Sequence, residues 1–420
     1  MKKLNRRKFV KTLAAAGAVL ASDSVPSARG ALTPRTPAGD SWDIVVVGAG
    51  VFGSWTALSL RRAGRRVLLV DQYGPANSRA SSGGETRIIR MGYGPQEHYS
   101  RWAWQSLPEW KHLSEVSGQT LFHPTGVLWI GKADDQEIAQ SAIILGKLSI
   151  PFERLSRSDL TSHFPQLSLE EGAIGLLEPA AGSLMARRAV QTVVAQAVRE
   201  GVDYRAALAS APAGPSRVES ISINGESARA AAFVFACGPW LPRIFPQLLG
   251  DKIVPTRGEE FFFGPPPGDR RFAENSFPTW IDNIAETFGT PDIEGRGFKI
   301  GVDLHGPAFD PDRDSRTLDE KSYRWTRDYA ARRFPALKDA PLVEHRVCQY
   351  ENASAEEFLI DRHPDHENVW LVGGGSGHGF KHGPALGAYV AKKVLDGGPV
   401  EPVFALANHA PVKSPSIFNQ

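Results

Sequence analysis

An apolar run from Ile44 to Val47 leads directly into Gly48, Gly50 and Gly53, within the stretch "DIVVVGAGVFGSW". Consecutive apolar residues closed by glycine predict a strand buried on both faces, as in a parallel sheet. "VFGSWTALSLRRAG" then carries apolar residues at helical spacing and ends on Gly64, which suits the position just past a helix. "RVLLVD" predicts a second buried strand ending at Asp71. The chain therefore opens with a βαβ unit bearing a G-x-G-x-x-G loop. In that motif the first glycine permits a tight turn, the second lets a pyrophosphate approach, and the third allows close helix–strand packing. Val51 and Phe52 start the helix, whose free N–H groups and dipole favour an anion. Asp71, about 20 residues on, is placed to accept from ribose hydroxyls.

The motif does not separate NAD from FAD. A second glycine loop near the C-terminus, "GGGSGHGF", offers Gly377, His378 and Gly379 to the far end of a long cofactor, which favours FAD. Between these loops, Ala186 to Glu200 predicts a helix and Ala232 to Ala236 a buried strand. From Ile253 to Val302 the runs become short, aromatic and Gly/Pro-punctuated, as in "EEFFFG" and "GRGFKIGV", which predicts a mixed or antiparallel sheet. The expected class is α/β with an α+β second domain: a Rossmann-like nucleotide-binding domain from discontinuous segments plus a sheet-rich substrate domain. FAD-binding parts are expected at about 42–95, 182–250 and 345–397, and substrate-domain parts at about 96–181 and 251–344.

Formal net charge is +2, too balanced for a nucleic-acid partner. Two cysteines, Cys237 and Cys348, exclude a disulfide scaffold. Residues 1–31 have a basic start, Arg6-Arg7 followed by Phe9, and an apolar run from Leu13 to Ala21 that is too short to span a bilayer. That pattern predicts a twin-arginine signal peptide, the export machinery as a partner, and a bacterial protein working in the periplasm or beyond. A linker is expected over 32–41 and a tail over 398–420, with no stable membrane insertion.

Four stretches, "DIVVVGAGVFGSWTALSLRRAG", "GGETRIIRMGY", "GRGFKIG" and "CQYENASAEEFLIDRHPDHENVWLVGGGSGHGFKHG", resemble the D-amino-acid-oxidase-type flavoproteins. Within them the sequence is most similar to the monomeric sarcosine oxidase and N-methyltryptophan oxidase family, from about Trp42 to Gly397. The resemblance implies FAD bonded covalently through Cys348, while Cys237 matches no role and reads as packing. It implies that Lys299 activates oxygen, that Arg90 and Lys381 hold the substrate carboxylate, and that Arg87 lies beside the flavin ring. Thr86 and Tyr350 are implied as supporting polar groups, and His378 as an indirect contact. Arginine gives a planar fork to a carboxylate and lysine a point charge.

The implied activity is oxidation of secondary or N-methylated amino acids: an imine forms and is hydrolysed, and O2 becomes H2O2. An N-methyl substrate would give formaldehyde and the demethylated amino acid. Alternatives are a dehydrogenase feeding a quinone or carrier, an oxidase of pipecolate-like or glycated amino acids, and a non-catalytic flavoprotein. A monomer is the expected state. Ser82 and Gly83 stand where the family pattern has a histidine pair, and Glu85 where it has aspartate. Phe288 falls near an expected pocket tyrosine and Asp303 near a pocket histidine. The redox and carboxylate-binding residues persist while the pocket lining changes.

Overall fold

The computed structural model describes residues 41–214, 216–303 and 306–412. The expected signal peptide, most of the linker and the end of the tail lie outside them. Strand β1 (Ser41–Val47), helix α1 (Val51–Arg62) and strand β2 (Val67–Asp71) form the expected βαβ unit. β1 lies between β2 and Glu226–Phe235, parallel to both. Val369–Gly373 and Asp203–Ala206 extend the parallel sheet on either side. One face of β1 packs with α1 and the helix Ala186–Arg199, the other with Phe233, Leu241 and Leu371. Burial on both faces is why its sequence shows no polar alternation.

Gly64 adopts φ +82° just beyond α1, the conformation that ends a helix cheaply only with glycine. Along α1 itself, Gly387 of the helix Gly383–Asp396 meets Trp55 so closely that a Cβ would lie 2.5 Å from the Trp55 backbone.

The second sheet is mixed, as the aromatic middle of the chain predicts. Ile253–Phe263 runs antiparallel to both Phe298–Val302 and Leu342–Ala353, and Thr287–Thr290 continues beyond Phe298–Val302. Thr279–Asp282 pairs in parallel with Val127–Lys132. The expected change of domain at 345 falls inside the Leu342–Ala353 strand, which pairs with Ile253–Phe263 over its whole length. Cys348 and Tyr350 therefore stand on the second sheet. A small third sheet holds Thr86–Ile89 against Gly182–Met185. These placements bring the glycine loop, the Arg87–Arg90 segment and one face of the second sheet around a common cavity system.

Candidate active site

Three cavities run in series. The first, about 370 Å³, lies at the ends of β1 and β2 and is lined by Gly48, Gly50, Val51, Asp71 and Glu351. The second, about 50 Å³, shares Val51, Phe52, Ser82 and Glu351 with the first, and Arg87, Tyr350 and Gly377 with the third. The third, about 170 Å³, is lined by Arg90, Tyr93, Trp129, Phe288, Lys299 and Lys381 among others.

Backbone shapes the first cavity. Gly48 has φ +105°, and a Cβ there would lie 2.2 Å from the Ala236 carbonyl oxygen. A Cβ on Gly53 would lie 1.9 Å from the Gly48 oxygen. Gly50 is different: the nearest atom to its Cβ position is Ser82 Oγ at 3.5 Å, so its bareness leaves room at the mouth of α1. No acidic residue occupies the first turn of α1, and Ser82 Oγ accepts from the Val51 N–H at 3.1 Å. Asp71 accepts from the Ala49 and Tyr73 N–H groups at 2.8 and 2.9 Å, which ties the glycine loop to the end of β2. Burial raises the Asp71 carboxyl somewhat, against the lowering effect of those amides. A long dinucleotide fits this combination: a bare-backbone cradle, a helix N-terminus without competing acid, and a cleft leading onward to the second glycine loop.

Charged side chains make the flank of the linking and third cavities. Lys299 is 1% exposed, and its Nζ donates to Glu260 Oε1 at 2.8 Å and Thr86 Oγ1 at 3.1 Å. Burial lowers the Lys299 ammonium, with Glu260 acting in the opposite direction. Arg87 donates to the Thr86 and Ser81 carbonyls, both at 2.7 Å, and reaches Glu260 Oε1 at 3.4 Å. Glu260 thus serves two cations, and against the cost of burial their charges hold its carboxyl below the usual range. The sheet register places it: Glu260 stands opposite Gly301 and Arg346, diagonal to Lys299. A Cβ on Gly301 would strike the Phe288 ring at 2.6 Å, so that glycine lets Phe288 lie beside Lys299. The Lys299 Nζ is 5.4 Å from the Phe288 ring centroid.

Arg90 lies between two rings, its Cζ 4.2 Å from the Tyr93 centroid and 4.6 Å from that of Trp129. Its guanidinium donates to the Gly92 carbonyl, and it forms no ion pair among the described residues. Glu178 builds this niche by accepting from the Met91 and Gly92 N–H groups and from Trp129 Nε1, at 2.7, 3.1 and 2.8 Å. Lys381, 3% exposed, donates to Tyr93 Oη at 2.6 Å and the His378 carbonyl at 2.9 Å. Burial first, then the charge of Arg90, holds Lys381 well below the usual lysine range. Tyr93 Oη also meets His382 Nε2 at 2.8 Å and His378 Nδ1 at 3.2 Å. Both rings are held neutral, chiefly by burial.

Cys348 is buried opposite Gly258, where a Cβ would lie 3.1 Å from its sulfur. Burial and Glu260 push its thiol up to about 11, with Arg87, Lys299 and Arg346 working against them. Cys237 is a separate free thiol lining the nucleotide cleft, with Sγ 3.4 Å from the Val47 oxygen. Tyr350, Gly377 and Asp303 line the third cavity; Gly379 and Phe52 line the linking one. Ser82 and Phe288 line the cavity system where the family pattern differs, whereas Glu85 pairs with Arg296 at 3.0 Å.

Five further residues were not singled out from the sequence: Glu260, Tyr93, Trp129, Glu178 and His382. For Glu260 the signal was present, since an acid running directly into "FFF" in a strand needs a partner if it is buried with those rings.

The profile of the family described as FAD dependent oxidoreductase matches residues 43–393. Peroxisomal sarcosine oxidase of Homo sapiens is 29% identical over 357 residues, covering 83% of this chain and 90% of that protein. N-methyl-L-tryptophan oxidase of Salmonella newport is 27% identical over 367 residues, covering 84% and 95%. The fold is shared with the crystal structure of L-proline dehydrogenase from P. horikoshii, at a TM-score of 0.75 and 20% identity over 86% of this chain and 96% of that one. With the glycine cradle and cavity series fitting a long dinucleotide, the chain belongs to the FAD-dependent oxidoreductase family.

Proposed function

We propose that this protein is an oxidase of N-methylated or other secondary amino acids, passing electrons to O2 and releasing H2O2. One observation carries the reading: Arg90 and Lys381 converge on Tyr93 in the third cavity, without a carboxylate paired to either among the described residues. An arginine and a lysine that face one cavity without a directly paired carboxylate make a site for a carboxylate. Names of the relatives, sarcosine oxidase and N-methyl-L-tryptophan oxidase, supply the class of amine.

Gly48, Gly50 and Asp71 would hold the nucleotide half of FAD, and Arg87, Tyr350 and the Gly377–Gly379 loop the flavin end. Bound FAD supplies the two-electron acceptor for the C–N bond. Arg90 and Lys381 orient the amino acid by its carboxylate, and Trp129 and Phe288 exclude water from the walls. Lys299, kept charged by Glu260, stabilises negative charge developing on dioxygen. Arg87, at the flavin end, would favour negative charge arriving there. Cys348 is the attachment point for a covalent bond; its high thiol pKa means that a cation or the incoming cofactor must favour the thiolate. Export through the twin-arginine route, supported by Arg6-Arg7 and the Leu13–Ala21 run, would carry the folded holoprotein.

The test is peroxide release from a panel of sarcosine, N-methyltryptophan, pipecolate, proline and glycated amino acids. Turnover with an artificial acceptor and no peroxide in air would instead mean a dehydrogenase. Arg90→Gln should lower kcat/KM by roughly tenfold to a hundredfold, as expected for one charged hydrogen bond of about 1.5–3 kcal/mol. Because a bound carboxylate draws a proton onto Lys381, carboxylate inhibitors should bind more weakly as pH rises, and Lys381→Met should flatten that dependence. Cys348→Ala should leave FAD that is lost on acid precipitation; acid-stable flavin in that variant would remove Cys348 from the linkage.

A further inference from the structure

Glu351 sits where the nucleotide cleft and the linking cavity meet, and it lines both. It is 8% exposed, yet its Oε2 has no hydrogen-bond partner among the described residues. The Gly374 N–H donates to the carboxyl, and no lysine or arginine pairs with it among the described residues. Glycines surround it: a Cβ on Gly238, Gly373 or Gly375 would approach its oxygens to 3.7, 3.6 or 3.2 Å. A buried carboxyl without a counter-charge takes a proton rather than remain ionised. Burial pushes Glu351 up to about 8.

We propose that Glu351 is a cofactor-positioning residue acting as a neutral carboxylic acid, which donates a hydrogen bond to an oxygen of the linker joining the two halves of FAD. The proposal rests on the cavity series being the FAD site. Ionised, the same group loses its donor and sets a negative charge beside the pyrophosphate. Binding is then linked to the Glu351 proton, and affinity falls as pH rises past about 8. Other titratable groups lining the two cavities are Cys237, whose thiol feels the Glu351 charge, with Asp71, Tyr73, Arg243 and Asp312 in the nucleotide cleft and Arg87 and Tyr350 in the linking cavity; Arg243 is taken up by Asp312 at 2.7 Å. Phe52 on α1, Pro255 on the adjacent strand and the Gly373–Gly375 loop bring no charge.

The test uses the full chain carrying Cys348→Ala, prepared free of flavin, with FAD binding followed by quenching of flavin fluorescence. The dissociation constant should be level below about pH 8 and climb toward tenfold per pH unit above it. Glu351→Gln, which keeps a donor but has no proton to lose, should bind tightly with a level profile. Glu351→Ala should bind at least about tenfold more weakly throughout. Cys237→Ala should keep the parent slope. A Glu351→Gln slope equal to the parent's, or full affinity in Glu351→Ala, overturns the proposal. Calorimetry of the parent in two buffers of different ionisation heat gives an independent reading. Uptake of close to one proton above pH 8 supports it, and none overturns it. A parent that binds no FAD at any pH rejects the cavity assignment itself.

Discussion

The nucleotide end of the cavity system and its charged end are built in opposite ways. At the first, function depends on atoms that are missing: Gly48 and Gly53 pack backbone against backbone, and nothing larger fits. At the other, function depends on side chains that compensate one another: Glu260 between Lys299 and Arg87, and Glu178 behind Arg90. The first kind of site fails when an atom is added and the second when a partner is removed. The two kinds of failure carry different signatures.

The largest effect should come from Gly53→Ala. Its Cβ would lie 1.9 Å from the Gly48 oxygen, a contact with backbone that no rotamer change relieves. Loss of retained flavin together with a drop in stability of about 4 kcal/mol or more is expected, readable as flavin-to-protein ratio and denaturant midpoint. Gly50→Ala sharpens the contrast, because its Cβ would have no neighbour nearer than 3.5 Å. It should weaken FAD binding while leaving the flavin-free protein as stable as its parent. Equal stability losses in both variants would mean that the glycine loop is built by something other than close backbone contact.

Next comes Glu260→Gln, which leaves Lys299 and Arg87 at the third cavity without their carboxylate. Breaking a buried pair from one side costs about 3–5 kcal/mol. The pH dependence gives the sign. Glu260 sits below its ordinary value of 4.5 in the folded protein, so its contribution is present above that value and fades as pH falls through the folded pKa. Urea midpoints of the parent should therefore fall toward those of Glu260→Gln as the solution is acidified. A gap that stays constant down to pH 3 would show that Glu260 is not ionised.

The same contrast explains what could be read in advance. The nucleotide end is local: strand, glycines, helix and Asp71 all lie within β1, α1 and β2, so spacing alone reports it. Lys299 meets Glu260 only through the register between Ile253–Phe263 and Phe298–Val302, and Cys348 faces Gly258 only through the next register over. Tyr93 is separated from Lys381 by most of the chain and meets it at 2.6 Å. Sequence spacing carries no trace of such pairings. For Lys299, Arg90 and Lys381 only family resemblance pointed to a site, and it named the cations without the acids and rings that hold them.

The smallest effect tests how the two carboxylate-binding cations are held. Since Lys381 Nζ donates to Tyr93 Oη, the hydroxyl proton is left to a histidine nitrogen, and His382 Nε2 at 2.8 Å is nearer than His378 Nδ1 at 3.2 Å. That assignment leaves the His382 proton on Nδ1, an atom without a partner among the described residues, in a ring that burial keeps neutral. Tyr93→Phe removes the hydroxyl but keeps the ring face that Arg90 covers at 4.2 Å, and Lys381 retains the His378 carbonyl at 2.9 Å. Only the position of Lys381 should loosen. KM for the amino acid and the dissociation constant of a carboxylate inhibitor should then rise together by about tenfold, the value of one charged hydrogen bond. The kcat should change less than about threefold, because the bound substrate still meets both cations. A collapse of kcat with KM unchanged would instead mean that the Tyr93 hydroxyl moves a proton during the reaction, and that this end of the cavity is chemical machinery as well as a dock.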